Sequence, residues 1–284
     1  MNISGFKILL IILLFGQYQN LISGQSVPET ALIEIRQKIS RCIQYHPRQQ
    51  DGQYIDTDKP NFDGPIDPDK WYISSRRNLK TDDRIMFVLK EPWGNGNIDW
   101  PKVLKEDYRS LTDFRDGGLP TYKPMIIIAN MIGKQVTYNS VINDIYSQNS
   151  YTVFKESCGI MEVNKFSGGT RSSDYIITDY ARKNLDLLSE QIDVYNPTIV
   201  IIGIGRQASE VLIKEVSPGR FEIFGDTVMA NKTKLEYPKS LYCCSYATNK
   251  RIYIVTYHPS AIVNKEQYCN AIYEAVRLWK LKYQ

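Results

Sequence analysis

Asn196-Pro197-Thr198-Ile199-Val200-Ile201-Ile202-Gly203-Ile204-Gly205 contains the most hydrophobic strand-length run of the chain, and helical patterns lie on both sides of it. Before it, Ala181, Leu185, Leu188 and Ile192 recur at helical spacing in a helix predicted from about Ser173, a pattern that Pro197 ends. After it the chain turns through Gly205 into a second helix carrying Ala208, Val211 and Leu212. Three further strands repeat the theme. Residues 85–89 are continuously apolar and empty into Lys90-Glu91-Pro92-Trp93-Gly94-Asn95-Gly96, a glycine-bearing loop with a carboxylate. Residues 158–163 end in Asn164-Lys165-Phe166-Ser167-Gly168-Gly169. Residues 252–256 lead to Tyr257-His258-Pro259-Ser260, and a last helix buries Ile272, Val276 and Trp279. Strands alternating with helices predict an α/β fold, a three-layer α/β/α sandwich with a mostly parallel central sheet. Ligands of such sheets bind at the carboxyl ends of the strands, and three of those ends carry polar groups: Glu91, Asn164 and His258.

Composition is that of an ordinary globular chain: 284 residues, 43% apolar and 23% charged, enough for one sizeable core. A formal charge of +4 suits a polyanionic partner but does not demonstrate one. The five cysteines, Cys42, Cys158, Cys243, Cys244 and Cys269, form no C-x-x-C pair, which argues against a zinc or iron–sulfur site. No metal and no cofactor are expected.

Three segments divide the chain. Residues 1–24 hold an apolar run, 8–15, preceded by Lys7 and followed by small residues near Gly24, too short to span a bilayer. A secretory signal, a hydrophobic N-terminal helix and a misassigned start all fit it. An odd cysteine count weighs against an oxidising destination, whereas a cleaved signal would make Asn231-Lys232-Thr233 a candidate glycosylation site. Residues 25–83 read as accessory. Leu32, Ile35, Ile39 and Ile43 predict a helix, and the Asp-, Pro- and Gly-rich stretch 56–70 predicts solvated turns or a linker. The main domain spans 84–284.

Gly203-Ile204-Gly205 invites comparison with a dinucleotide fingerprint, but Arg206-Gln207-Ala208 supplies no third glycine, so a tight strand-to-helix turn explains it better. Taken together, the strand ends resemble the uracil-DNA glycosylase superfamily over residues 84–280. Val88-Leu89-Lys90-Glu91-Pro92-Trp93-Gly94 looks like its first motif, and Asn164 ends the strand where the family places a base-reading asparagine. Asn196 to Gly203 with Ala208 is similar to its Pro-Lys-hydrophobic-Leu-Gly-x-x-Ala segment, and Tyr257-His258-Pro259-Ser260-Ala261 matches its final His-Pro-Ser motif. The order and spacing of these landmarks carry more than any one of them.

The resemblance implies a metal-independent N-glycosidase excising uracil or a related damaged base from DNA, acting as an intracellular monomer. Glu91 would orient or activate water, His258 would stabilise the departing base anion, and Asn164 would offer donor and acceptor to a Watson–Crick edge. Lys90, Lys165, Arg206 and Ser260 would contact DNA, and Ile262 would either wedge into the stack or pack in the core. Two alternatives stay open: a nucleic-acid or nucleotide-binding relative without turnover, and a secreted protein holding a small ligand. Lys90, Pro92 and Trp93 depart from the first motif, which implies a reshaped pocket mouth. Trp93, Trp100 and Phe114 are candidates for the aromatic platform, with core packing as the alternative for each.

Overall fold

Residues 198–204 alternate between two apolar environments, and that alternation organises the whole molecule. The computed structural model describes residues 29–43, 45, 48–50, 53–55, 59–72, 83–92, 98–114, 119–167, 173–216, 222–223 and 244–283. The N-terminal apolar run, Trp93, the glycines at 94, 96, 168 and 169, and Asn231 lie outside the described residues. In chain order the elements begin with α1 (Glu29–Ser40), a small hairpin of β1 (Arg48–Gln50) and β2 (Gln53–Ile55), β3 (Gly64–Pro65), α2 (Pro68–Trp71) and β4 (Ile85–Leu89). Next come α3 (Trp100–Glu106), α4 (Leu119–Lys134), α5 (Tyr138–Ile142), α6 (Gln148–Ser157) and β5 (Cys158–Glu162). The chain finishes with α7 (Asp174–Lys183), α8 (Leu185–Tyr195), β6 (Ile199–Ile202), α9 (Arg206–Val216), β7 (Glu222–Ile223), β8 (Cys244–Ala247), β9 (Ile252–Val255) and α10 (Lys265–Tyr283).

Among the described residues these strands form a seven-stranded mixed sheet in the order β3-β5-β4-β6-β9-β8-β7. The four central strands, β5, β4, β6 and β9, are mutually parallel; β3 on one side and β8 on the other run antiparallel to them, and β7 pairs antiparallel with β8. Ile85, Phe87 and Leu89 pack with α4, α6 and α10, while Met86 and Val88 pack with α1, α7, α8 and α9. Helices therefore cover both faces, as a parallel strand with no polar side requires. The single helix expected from Ser173 is two: Asn184 interrupts it, and α8 ends where Asn196 takes a left-handed conformation (φ 45°) ahead of Pro197.

The expected accessory character of 25–83 is corrected. Ile35, Ile39 and Trp71 are fully buried in the second core, Trp71 Nε1 donates to Tyr195 O, and β3 pairs with β5 as part of the main sheet. The acidic turns at 56–70 are not simply solvated either. Asp63 is 3% exposed and accepts from Lys165 Nζ at 2.5 Å and Gln191 Nε2 at 2.6 Å, while Lys165 Nζ also donates to Gln191 Oε1 at 2.8 Å. An aspartate can stand here because a lysine 102 residues away neutralises it and an amide completes the hydrogen bonding.

Breaking that pair on one side leaves a buried charge. Lys165→Met should lower unfolding free energy in urea by about 3–5 kcal/mol, and Asp63→Asn combined with Lys165→Met should recover most of the loss.

Candidate active site at the carboxyl edge of the sheet

Four parallel strands present all their carboxyl ends on one edge, and the chain leaves them in alternating directions. From β4 it passes to α3 on the first face, whereas from β5 and β6 it passes to α7 and α9 on the second. Open α/β sheets place their ligand crevices at such a reversal, here beyond the end of β4. Glu91, Asn164 and His258 follow β4, β5 and β9 respectively, so the topology brings all three to this edge. β4 and β9 are separated only by β6, which sets their ends about 10 Å apart.

The ladder between β4 and β5 continues past the strands: Val163 N–H donates to Leu89 O and Asn164 N–H to Lys90 O. This places the Asn164 side chain beside the next residue of the β4 loop, where its Nδ2 donates to Glu91 Oε2 at 3.0 Å. Phe166 N–H donates to Asn164 Oδ1 at 3.0 Å, which fixes the amide's orientation. One N–H and one carbonyl lone pair of Asn164 remain for a ligand. The turn is clamped from below by Asn61, which donates from Nδ2 to Lys165 O and Ser167 Oγ and accepts from Ile98 N–H.

His258 is held by backbone more than by side chains. A Cβ at Gly203 would lie 3.0 Å from His258 Cα and 3.2 Å from Tyr257 O, so the glycine lets the end of β6 approach the His258 loop. Gly205 adopts φ +92° beside Asp174, completing the tight turn into α9. These contacts account for both glycines without a dinucleotide. From α10, Tyr268 donates its O–H to Tyr257 O and Lys265 Nζ donates to Pro259 O and Ala261 O.

Ser260 N–H donates to His258 Nδ1 at 3.2 Å, and the Ser260 hydroxyl lies 2.7 Å from the same nitrogen. A backbone N–H can only donate, so Nδ1 is unprotonated and the neutral ring carries its hydrogen on Nε2. Burial first, then the Lys90 and Lys265 cations, lower the imidazole from the usual 6.5 to about 4. The site therefore offers a neutral Nε2–H donor at physiological pH.

The remaining expected residues divide. Lys90 follows β4 at the carboxyl edge, 2.9 Å from Asp174, and Arg206 is exposed and paired with Glu210. Ile262 is 76% exposed, which removes the core-packing alternative. Ser260 is exposed, with its hydroxyl engaged by His258. Lys165 is a correction: its side chain is wholly buried against Asp63 and Gln191, on the far side of the Asn164 turn, and presents no ammonium to a phosphate. Phe114 is buried, stacked on Tyr108 at 4.4 Å and against Tyr122 at 4.5 Å, so it is core. Trp100 opens α3, its backbone N–H bonded to Phe62 O.

Sequence reasoning passes over Glu162, which hides inside an apolar run although an acid in a strand covered on both faces is itself a signal. An apolar groove between α4 and α10, bordered by Ile132, Tyr273, Val276 and Leu281, lies by the Lys280–Asp83 ion pair that precedes β4, and so belongs to the amino edge. Among the described residues no three His, Cys, Asp or Glu side chains gather as a metal would need. Comparison with protein-family models and with curated proteins finds no match for this chain.

A neutral, half-buried imidazole has a pH signature. His258 should titrate by NMR near pH 4, and Lys90→Met should move the midpoint upward by removing a neighbouring cation. Its folded value lies below the unfolded one, so this contribution to stability is complete above pH 6.5 and is lost as pH falls through 4. His258→Gln should remove that portion of the acid destabilisation.

Proposed function

We propose that this protein is a base-excising N-glycosidase of the uracil-DNA glycosylase kind, with the corresponding three-layer fold, acting on uracil or a related base in DNA. The observation that carries the reading is His258 as a neutral Nε2–H donor on the same sheet edge as the Asn164–Glu91 pair. Cleavage of the C1′–N bond sends its electron pair into the base and leaves the sugar electron-poor. A neutral donor at the base carbonyl stabilises the first charge without giving up its proton, and the Glu91 carboxylate stabilises the second. Glu91 then accepts a proton from the water that attacks C1′, yielding free base and an abasic sugar. Asn164 holds the base edge with its remaining donor and acceptor, provided the nucleotide is extruded from the stack. Exposed Ile262, two residues beyond Ser260, is suited to fill the space it leaves.

Single-turnover assays on single- and double-stranded oligonucleotides containing uracil test this reading. Release of free base is expected, reduced about 100-fold or more in His258→Ala with little change in melting temperature. Binding without release identifies a relative that has lost turnover, and neither binding nor release moves the site to a small ligand.

Affinity for DNA should also fall with salt, each phosphate contact contributing about 0.7–0.9 to the slope of log affinity against log salt. Lys90→Ala and Arg206→Ala should flatten that slope and leave base preference intact, as measured by fluorescence anisotropy across a salt series.

A further inference from the structure

Lys265 opens α10, where a cation faces the positive end of the helix dipole, and burial draws its ammonium below the usual lysine range. The helix does not need it there, because Asn264 already caps the first turn by accepting Gln267 N–H at Oδ1. The side chain instead reaches back along the chain: Nζ donates to Pro259 O at 2.6 Å and to Ala261 O. These two oxygens flank Ser260, inside a turn closed by Ala261 N–H on His258 O at 2.8 Å.

Pro259 O belongs to the same peptide unit as Ser260 N–H. That unit is trans and planar, so its C=O and N–H point in opposite directions and turn together. With the oxygen drawn onto Lys265, the N–H is directed to the other side, where it donates to His258 Nδ1 at 3.2 Å. A cation on the oxygen also polarises the peptide and strengthens that donor. The Ser260 hydroxyl, 2.7 Å from Nδ1, does not enforce a choice of tautomer, since it rotates to donate or to accept. The backbone N–H permits only the tautomer with its hydrogen on Nε2.

We propose that Lys265 is a positioning residue for His258: through the Pro259–Ser260 peptide it holds the imidazole in the Nε2–H tautomer and fixes the direction of that donor. Its bearing on base release rests on the glycosidase reading, whereas its effect on the ring does not. Lys90, the other cation near the ring, is bonded to Asp174 on a different element and supplies charge. The two lysines therefore separate what a neighbouring charge does to His258 from what the peptide does.

Isotope-labelled histidine lets NMR of the ring nitrogens read the tautomer in the full chain at neutral pH without any substrate, and the signals lost in His258→Gln assign it. Wild type should show one protonated and one unprotonated nitrogen, well separated in shift. Lys265→Met keeps the apolar stem and removes the ammonium; the second tautomer should rise on the order of tenfold in population, one hydrogen bond's worth of preference, and draw the two shifts together. Lys265→Arg, which keeps a cation and several donors, should retain the wild-type shifts, and so should Lys90→Met. If Lys265→Met does not fold, Lys265→Gln, too short to reach both oxygens, is read in the same way. A single Nε2–H tautomer in the folded variant, or equal mixing in Lys90→Met, overturns the proposal. In the oligonucleotide assay Lys265→Met should slow base release about tenfold with binding unchanged, and mixed tautomers with release unslowed overturn its part in the reaction. Lys265-dependent tautomers in a wild type that releases no base from any oligonucleotide overturn the glycosidase reading and leave the positioning of His258 standing.

Discussion

Asp63 and Lys165 form the contact on which the most distant parts of this chain depend. The pair joins the segment before β3 to the turn after β5, and Gln191 brings in α8. Asp63 also accepts from the Glu162 backbone, so one carboxylate fixes the end of β5 from two directions. Desolvating two charges is costly, and the gain here is positional: every polar atom in the cluster aims at one arrangement of three chain segments. Asn164 is the next residue along from Lys165, so its orientation is inherited from contacts that no ligand touches.

Electrostatics at the carboxyl edge of the sheet follow from what surrounds each group rather than from residue type. Burial and two cations lower the His258 imidazole to about 4, while burial and two acids raise the Glu162 carboxyl well above the ordinary carboxylate range. His258 therefore offers a hydrogen-bond donor in place of a full charge. Glu91 is half-buried and bonded by the Asn164 amide.

The parallel strands and the three polar residues at their ends were legible because periodicity, glycine turns and a proline after His258 all act locally. What was not legible acts at a distance. Lys165 looks like a surface cation until Asp63, 102 residues away, is placed beside it. α4 carries Pro120 and Pro124 ahead of an apolar run, a pattern whose breakers mask a helix; Pro120 falls in the first turn, where its missing N–H costs nothing, whereas Pro124 lies inside the helix and forgoes one bond of its ladder. Gly203 could be read as part of a turn, but its steric need comes from the His258 backbone on another strand. Asn61 and Asp63 sat in a stretch whose composition resembles solvated turns, and only their partners reveal them as interior.

β3 has a bearing on how this protein behaves in a crowded solution. A sheet edge with free N–H and C=O groups is a template on which other chains can stack. The two-residue strand Gly64–Pro65 lies along the β5 edge and covers it antiparallel. Pro65 has no N–H to offer, so a strand approaching from outside finds the next rung missing. The same short segment whose neighbour Asp63 anchors the Asn164 turn thus closes one flank of the sheet against intermolecular β-pairing and the aggregation that follows from it.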